Sequence, residues 1–325
     1  MEILQSLTSS LLSPMVLAFV LGILTTMVKS DFKISEEFYA ALTIYLLFAI
    51  GLKGGAKLEG VGFASAAGPI GAAVLLSMII PAWCYGILRK LCGLNPSNAG
   101  AVAAHYGSVS AVTFSAALAF LDKKQLPTEG YLPALLAIME VPAIIVAIFL
   151  AKRCSKPEQT PDGKLGALLH ELLTSKGILL LLGGLGIGLL SGKSGFEQVA
   201  PLFDAPFKGV LTLFLLAVGM MTGQRMGDLR KVGFRLVAFA LAMPLIHAVL
   251  AIWLAKYLGM SLGATTVLAT LAASASYIAA PAAVRIALPQ ASPAIYFTTA
   301  LVITFPFNIV IGIPLYFNLA KWILG

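Results

Sequence analysis

The chain has 325 residues, 59% of them hydrophobic and only 11% charged, whereas a soluble domain carries roughly 25% charged residues. Its net charge of +8 is not that of a nucleic-acid binder, because Lys and Arg stand singly or in pairs at the ends of apolar runs and form no basic stripe. Cys84, Cys92 and Cys154 have no paired spacing, and His105, His170 and His247 add no zinc-ligand pattern, so neither disulfides nor a transition metal is expected. Runs near the ~20 apolar residues that cross a bilayer recur from end to end. They predict helices near 10–28, 36–53, 62–91, 97–121, 130–152, 174–191, 207–222, 233–258, 262–288 and 292–320. Glu2 stands where a signal peptide would carry a basic residue, so insertion is expected to start with the first helix. The third and the last three runs exceed a straight span and contain Pro69, Pro81, Pro244, Pro281, Pro306 and Pro314, which predicts kinks or breaks.

Ten helices place both termini on one side of the membrane. Eight of the 22 basic residues fall on that side, Lys53, Lys57 and Lys208 among them, and the remainder on the other. The positive-inside rule makes the richer side cytoplasmic and puts both termini outside. Three segments follow: a first five-helix unit over 1–152, a polar cytoplasmic linker over 153–173 and a second unit over 174–325.

The two units match each other. AIGLKGGAKL (49–58) aligns with AVGMMTGQRM (217–226), pairing Gly51 with Gly219 and Gly55 with Gly223. Gly22 aligns with Gly184, Gly93 with Gly259, Ser108-Val109-Ser110 with Ser274-Ala275-Ser276, and Pro142 with Pro306. Five helices per copy invert the second relative to the first, an arrangement frequent in secondary transporters. The expected fold is an all-α integral membrane protein of about ten helices in a 5+5 inverted repeat.

Small and hydroxyl residues gather at membrane depth in AHYGSVSAVTF (104–114) and LAASASYIAAPAAVR (271–285). Serines two apart share a side only on extended backbone, so these motifs predict breaks in helices 4 and 9. A broken helix offers N–H groups to an anion and freed carbonyls to Na⁺. The predicted anion site is Ser108, Ser110, Thr113, Ser274, Ser276 and Tyr277; the predicted cation site is Gly107, Ser110, Glu140, Ala273 and Thr304. Glu140 lies inside LPALLAIMEVPAIIVAIFL (132–150), where an ionised carboxylate costs on the order of a few kcal/mol. A Na⁺ site, a proton-coupling site and a structural pair all remain open for it, and Thr304 is its repeat equivalent. His105 and His247 fit packing positions. GIGLLSGKS (186–194) misses the phosphate-loop pattern because Ile187 stands where a Gly is required. Without HExxH or GxSxG, an enzyme is not expected, nor an organic cofactor.

The chain resembles the sodium-dependent bicarbonate transporter family of the cyanobacterial SbtA type over nearly its whole length. The resemblance rests on IGLKGG (50–55), YGSVSAVTFSAAL (106–118), MEVPAI (139–144), VGMMTGQRMGDLRKV (218–232), AASASYIAAPAAVR (272–285) and LPQASPAIY (288–296). It implies a core domain of helices 3–5 and 8–10 moving against a gate domain of helices 1, 2, 6 and 7, with bicarbonate and Na⁺ between crossing broken helices. It also implies a homotrimer in a bacterial inner membrane and a PII-like regulatory protein on the cytoplasmic face. Ala275, Tyr277, Ala279 and Ala280 stand where the family pattern has Ser, Asp, Ser and Gly, and Ala111 and Val112 where it has Gly and Ser. The sequence reading is a Na⁺-coupled symporter of a small anion, bicarbonate first. The alternatives are Na⁺- or H⁺-coupled carriage of another small solute such as a carboxylate, and a membrane sensor that recruits a cytoplasmic partner.

Overall fold

The computed structural model describes residues 11–59, 63–155, 166, 170 and 172–325, so most of the expected linker lies outside the described residues. Among these residues the architecture is helical, with no strand. In order come α1 (Pro14–Met27), α2 (Glu36–Leu58), α3 (Phe63–Lys90), α4 (Pro96–Gly107), α5 (Ala111–Lys123) and α6 (Leu132–Arg153). They continue as α7 (Lys176–Phe203), α8 (Phe207–Arg225), α9 (Phe234–Tyr257), α10 (Leu262–Ala273), α11 (Ala279–Ala287) and α12 (Pro293–Leu324). Among the described residues eight stretches are long and apolar enough to cross a membrane, while α1 and α10 are shorter.

Local chemistry sets the helix starts. Ser13, Ser35, Asn95, Ser175 and Ser261 each place a side-chain oxygen on an amide three residues on, at 2.8–3.4 Å, the hydrogen bond that satisfies an otherwise orphaned donor. Helix 6 of the sequence reading, expected to end at 191, instead bends at Gly192 and resumes to Phe203. Gly192 has φ +64°, and the Glu59 carboxylate accepts the Lys193 N–H at 2.7 Å there; a side chain at 192 would collide with that carboxylate. Around Pro306, which offers no N–H, α12 widens into π-helical turns over Thr298–Thr304 and Asn308–Gly312.

Glycines decide which helices meet. Gly22 of α1 abuts Gly219 of α8, and Gly51 of α2 abuts Gly184 of α7, so closely that a Cβ on any of the four would strike the opposite backbone. Small residues permit this approach where lipid supplies no hydrophobic drive between helices. A second group, α3 to α6 with α9 to α12, shares one large buried cluster that includes Leu76, Ile80, Tyr106, Leu132, Ile144, Phe239, Ile252 and Tyr316. A smaller apolar cluster, with Phe19, Leu46, Phe214, Val112, Tyr277 and Phe305, fills the seam between the two groups.

Candidate functional site at two crossing broken helices

The two serine motifs are where helices stop. Ser108 and Ser110 have extended backbone (φ −82°, ψ 151°; φ −109°, ψ 113°) between α4 and α5. Ser274 is likewise extended (φ −81°, ψ 164°) at the end of α10, and α11 begins only at Ala279. The two unwound segments bond to each other. Ser110 N–H donates to Ser274 Oγ at 2.9 Å, and Ser276 N–H donates to the carbonyls of His105 at 2.8 Å and Ser108 at 3.2 Å.

Beside this crossing lies a cavity of about 460 Å³. Val109, Ser110 and Ala111 line it from one break, and Ser276, Tyr277, Ile278 and Ala279 from the other, so the N-terminal ends of α5 and α11 both face it. Ser110 Oγ accepts the Thr113 N–H at 3.2 Å and Ser276 Oγ accepts the Ala280 N–H at 3.4 Å. Accepting these bonds leaves the Ser276 hydroxyl proton uncommitted, while the Ser110 hydroxyl lies beside that of Tyr277. Pro281 supplies no amide, so the end of α11 has fewer donors than an ordinary helix start.

Glu140 of α6 lines the same cavity and has no hydrogen bond or ion pair among the described residues. Lys176, exposed at the start of α7, is the other charged residue lining the space. Leu47, Leu136 and Leu181 make much of the remaining wall.

The predicted site residues divide accordingly. Ser110, Ser276, Tyr277 and Glu140 meet at the cavity. Ser108, Ser274 and Thr113 sit behind it, fully buried or nearly so; Ser274 Oγ donates to Leu271 O at 2.8 Å, and the Ser108 hydroxyl has no partner. Gly107 packs on the Pro81 ring. Ala273 and Thr304, expected beside a cation, are engaged elsewhere: the Ala273 carbonyl accepts the Asn308 side-chain amide at 2.9 Å, and Thr304 Oγ1 donates to Ala240 O at 2.8 Å while bonding the Tyr106 hydroxyl at 2.5 Å. Tyr277 packs edge-on against Phe305, and its buried hydroxyl has no hydrogen-bond partner of good geometry.

Asn308 was not foreseen. Tyr316 donates to its Oδ1 at 2.6 Å, so the amide nitrogen faces the end of α10 in one orientation. An amide inside an apolar run was its one visible signal in the sequence. Both intramembrane histidines pack: His105 stacks on Tyr296, with Nδ1 2.7 Å from Ala101 O, and His247 Nε2 accepts the Trp83 indole N–H at 2.8 Å.

Fold and site together define a multi-pass membrane protein, helical throughout its described residues, with a largely apolar cavity that carries a few polar groups between broken helices. A family model of the Na⁺-dependent bicarbonate transporter superfamily matches residues 14–321, nearly the whole chain. The chain belongs to that superfamily, one of transporters rather than enzymes. No curated protein matches it closely enough to name a nearer relative.

Proposed function

We propose that this protein is a Na⁺-coupled symporter of a small anion, with bicarbonate as the first candidate. The observation that carries the reading is the cavity itself, where the N-terminal ends of two half-helices face an unpartnered carboxylate. Helix N-termini present N–H donors and a partial positive charge, which suits an oxyanion. An anion there would face the like charge of Glu140 unless a cation stood between them. Na⁺ at Glu140, shared with Ser110 or Ser276, makes binding of the two ions interdependent, which is what coupling requires.

Ten spans in an inverted 5+5 repeat, 1–152 and 174–325 about a cytoplasmic linker, are part of the proposal. Support comes from pairs of contacts that exchange under the repeat. Gly22 corresponds to Gly184 and Gly51 to Gly219, so the Gly22–Gly219 contact has its counterpart in Gly184–Gly51. At the crossing, Ser110 to Ser274 has its counterpart in Ser276 to Ser108. The α1, α2, α7, α8 group is assigned as the gate and the rest as the moving core. The family resemblance supports a homotrimer in a bacterial plasma membrane and a PII-like protein on the cytoplasmic face, and the distribution of Lys and Arg supports both termini outside.

A second reading, a larger organic carboxylate driven by Na⁺ or H⁺, is favoured by one observation: about 460 Å³ walled by Leu47, Leu136, Leu181 and Tyr277 exceeds what bicarbonate fills. Thermal stabilisation of the purified protein by a panel of anions, each with Na⁺ or with K⁺, separates the two. Stabilisation by bicarbonate with Na⁺ supports the first; stabilisation by short-chain carboxylates alone replaces it with the second.

A further inference from the structure

A second and larger cavity, about 690 Å³, opens at the opposite ends of the same helices. Where the Glu140 cavity meets the starts of α5 and α7, through Ser110 and Lys176, this one meets their far ends, through Leu118, Asp122 and Asp204. Its wall is polar: Lys53 pairs with Asp204, Lys208 with Asp122 at 2.5 Å, and Lys57 Nζ donates to Thr128 Oγ1 at 3.0 Å. It is a vestibule at the end away from Arg153 and Lys176, between α2 and α8 on one side and α5 and α6 on the other.

Between the two cavities lies a void of about 10 Å³, at or below the ~10–15 Å³ needed to hold one water. The void shares Ile50 with the vestibule, and Leu47, Ala111 and Ile278 with the Glu140 cavity, so the three spaces lie in series. Leu46, Val112 and Phe214 complete its apolar lining. Thr43 and Ser115 are its two hydroxyl residues, and each donates to its own helix, to Tyr39 O and Ala111 O at 2.8 Å. Both hydroxyl protons are used within their own helices and the rest of the lining is apolar, so the void offers little to hold a water.

We infer that this collar, with Leu47, Ile50 and Phe214 on the gate side and Val112 and Ile278 on the crossing side, is the permeation barrier separating the two vestibules. The inference rests on the transport reading, but the collar is a property of this chain's own side chains and does not depend on which anion is carried. Bulk and an apolar lining do the work: a polar solute cannot pass so narrow and apolar a gap without losing its hydration. Truncating the collar therefore joins the vestibules into one aqueous path.

The test uses sealed proteoliposomes in Na⁺-free medium, with Cys84, Cys92 and Cys154 replaced by alanine. Single cysteines are placed at Leu118 in the vestibule and Ala282 in the Glu140 cavity, and a membrane-impermeant trimethylammonium methanethiosulfonate is added from one side at a time. Leu118→Cys is expected to react from the face opposite the linker and Ala282→Cys from the linker face, each at least tenfold faster than from its other side. With Phe214→Ala and Ile278→Ala together, that sidedness is expected to fall to within about twofold. If the double variant does not yield monodisperse protein, Ile50→Ala is read instead. Sidedness unchanged in the folded collar variants, or both cysteines reacting from one face in the intact collar, overturns the assignment. Because the reagent is not a substrate, a wrong anion leaves this result untouched.

Discussion

Replacing Glu140 by glutamine keeps the size of the side chain and removes its charge, and no ion pair or hydrogen bond among the described residues is broken by the change. E140Q is therefore expected to insert and to melt within a few degrees of the parent, yet to lose at least tenfold in the stabilisation that Na⁺ gives in a titration. Equal Na⁺ response in E140Q would move the cation elsewhere. Ser276 is the complementary case, since its hydroxyl proton is free to meet an anion. A hydrogen bond to a charged group contributes about 1.5–3 kcal/mol, so Ser276→Ala should raise the KM for uptake by about tenfold or more with little change in protein yield. Unchanged KM would remove Ser276 from the site. These positions stood out in the sequence because a carboxylate within an apolar run is costly and because the two serine motifs, each an ordinary packing device alone, fall at matching positions of the two units. The sequence could not show that Ala273 and Thr304 have protein partners, because those partners, Asn308, Ala240 and Tyr106, are set by tertiary packing.

Helices follow from the spacing of apolar runs and their Ser and Asn caps, and the breaks in the fourth and ninth expected helices fall at the serine motifs that suggested them. What the pattern could not supply was partner choice. Alignment pairs Gly51 with Gly219, but Gly51 touches Gly184 and Gly219 touches Gly22, the exchange that the proposed repeat calls for. The four glycines should thus behave as two equivalent contacts. Valine at Gly51 or at Gly219 forces apart a backbone-to-backbone approach, and overpacking of this kind costs about 1–3 kcal/mol. Both substitutions are expected to lower the melting temperature by similar amounts, read by intrinsic fluorescence in detergent; a large effect at one and none at the other would contradict the exchanged pairing. The π-helical turns of α12 were equally invisible, since they answer to Pro306 and to the Asn308–Tyr316 bond together. Asn308→Ala leaves the Ala273 carbonyl buried without a donor, an expected loss of about 1–3 kcal/mol seen as a lower melting temperature.

At the scale of the molecule, seam, cavities and charges fit one design. The group built on glycine contacts is closely joined within itself, and the larger group carries both breaks. Between them runs a seam whose cavities open at opposite ends and whose middle is narrow and apolar. On the proposed mechanism one bundle slides past the other along this seam, and the Lys208–Asp122 pair, exposed and spanning it, is weak enough to break as it does so. The proposed topology has Gly325 outside the cytoplasm, so alkaline phosphatase fused after it is expected to be active in intact cells; an inactive fusion would contradict that topology.

The most direct test is uptake of labelled bicarbonate by liposomes holding the purified protein, with and without an inward Na⁺ gradient. Accumulation that requires the gradient, and that disappears when Na⁺ is replaced by K⁺, is the expected result. No accumulation of bicarbonate under a Na⁺ gradient, by protein shown to be folded and inserted, would contradict it.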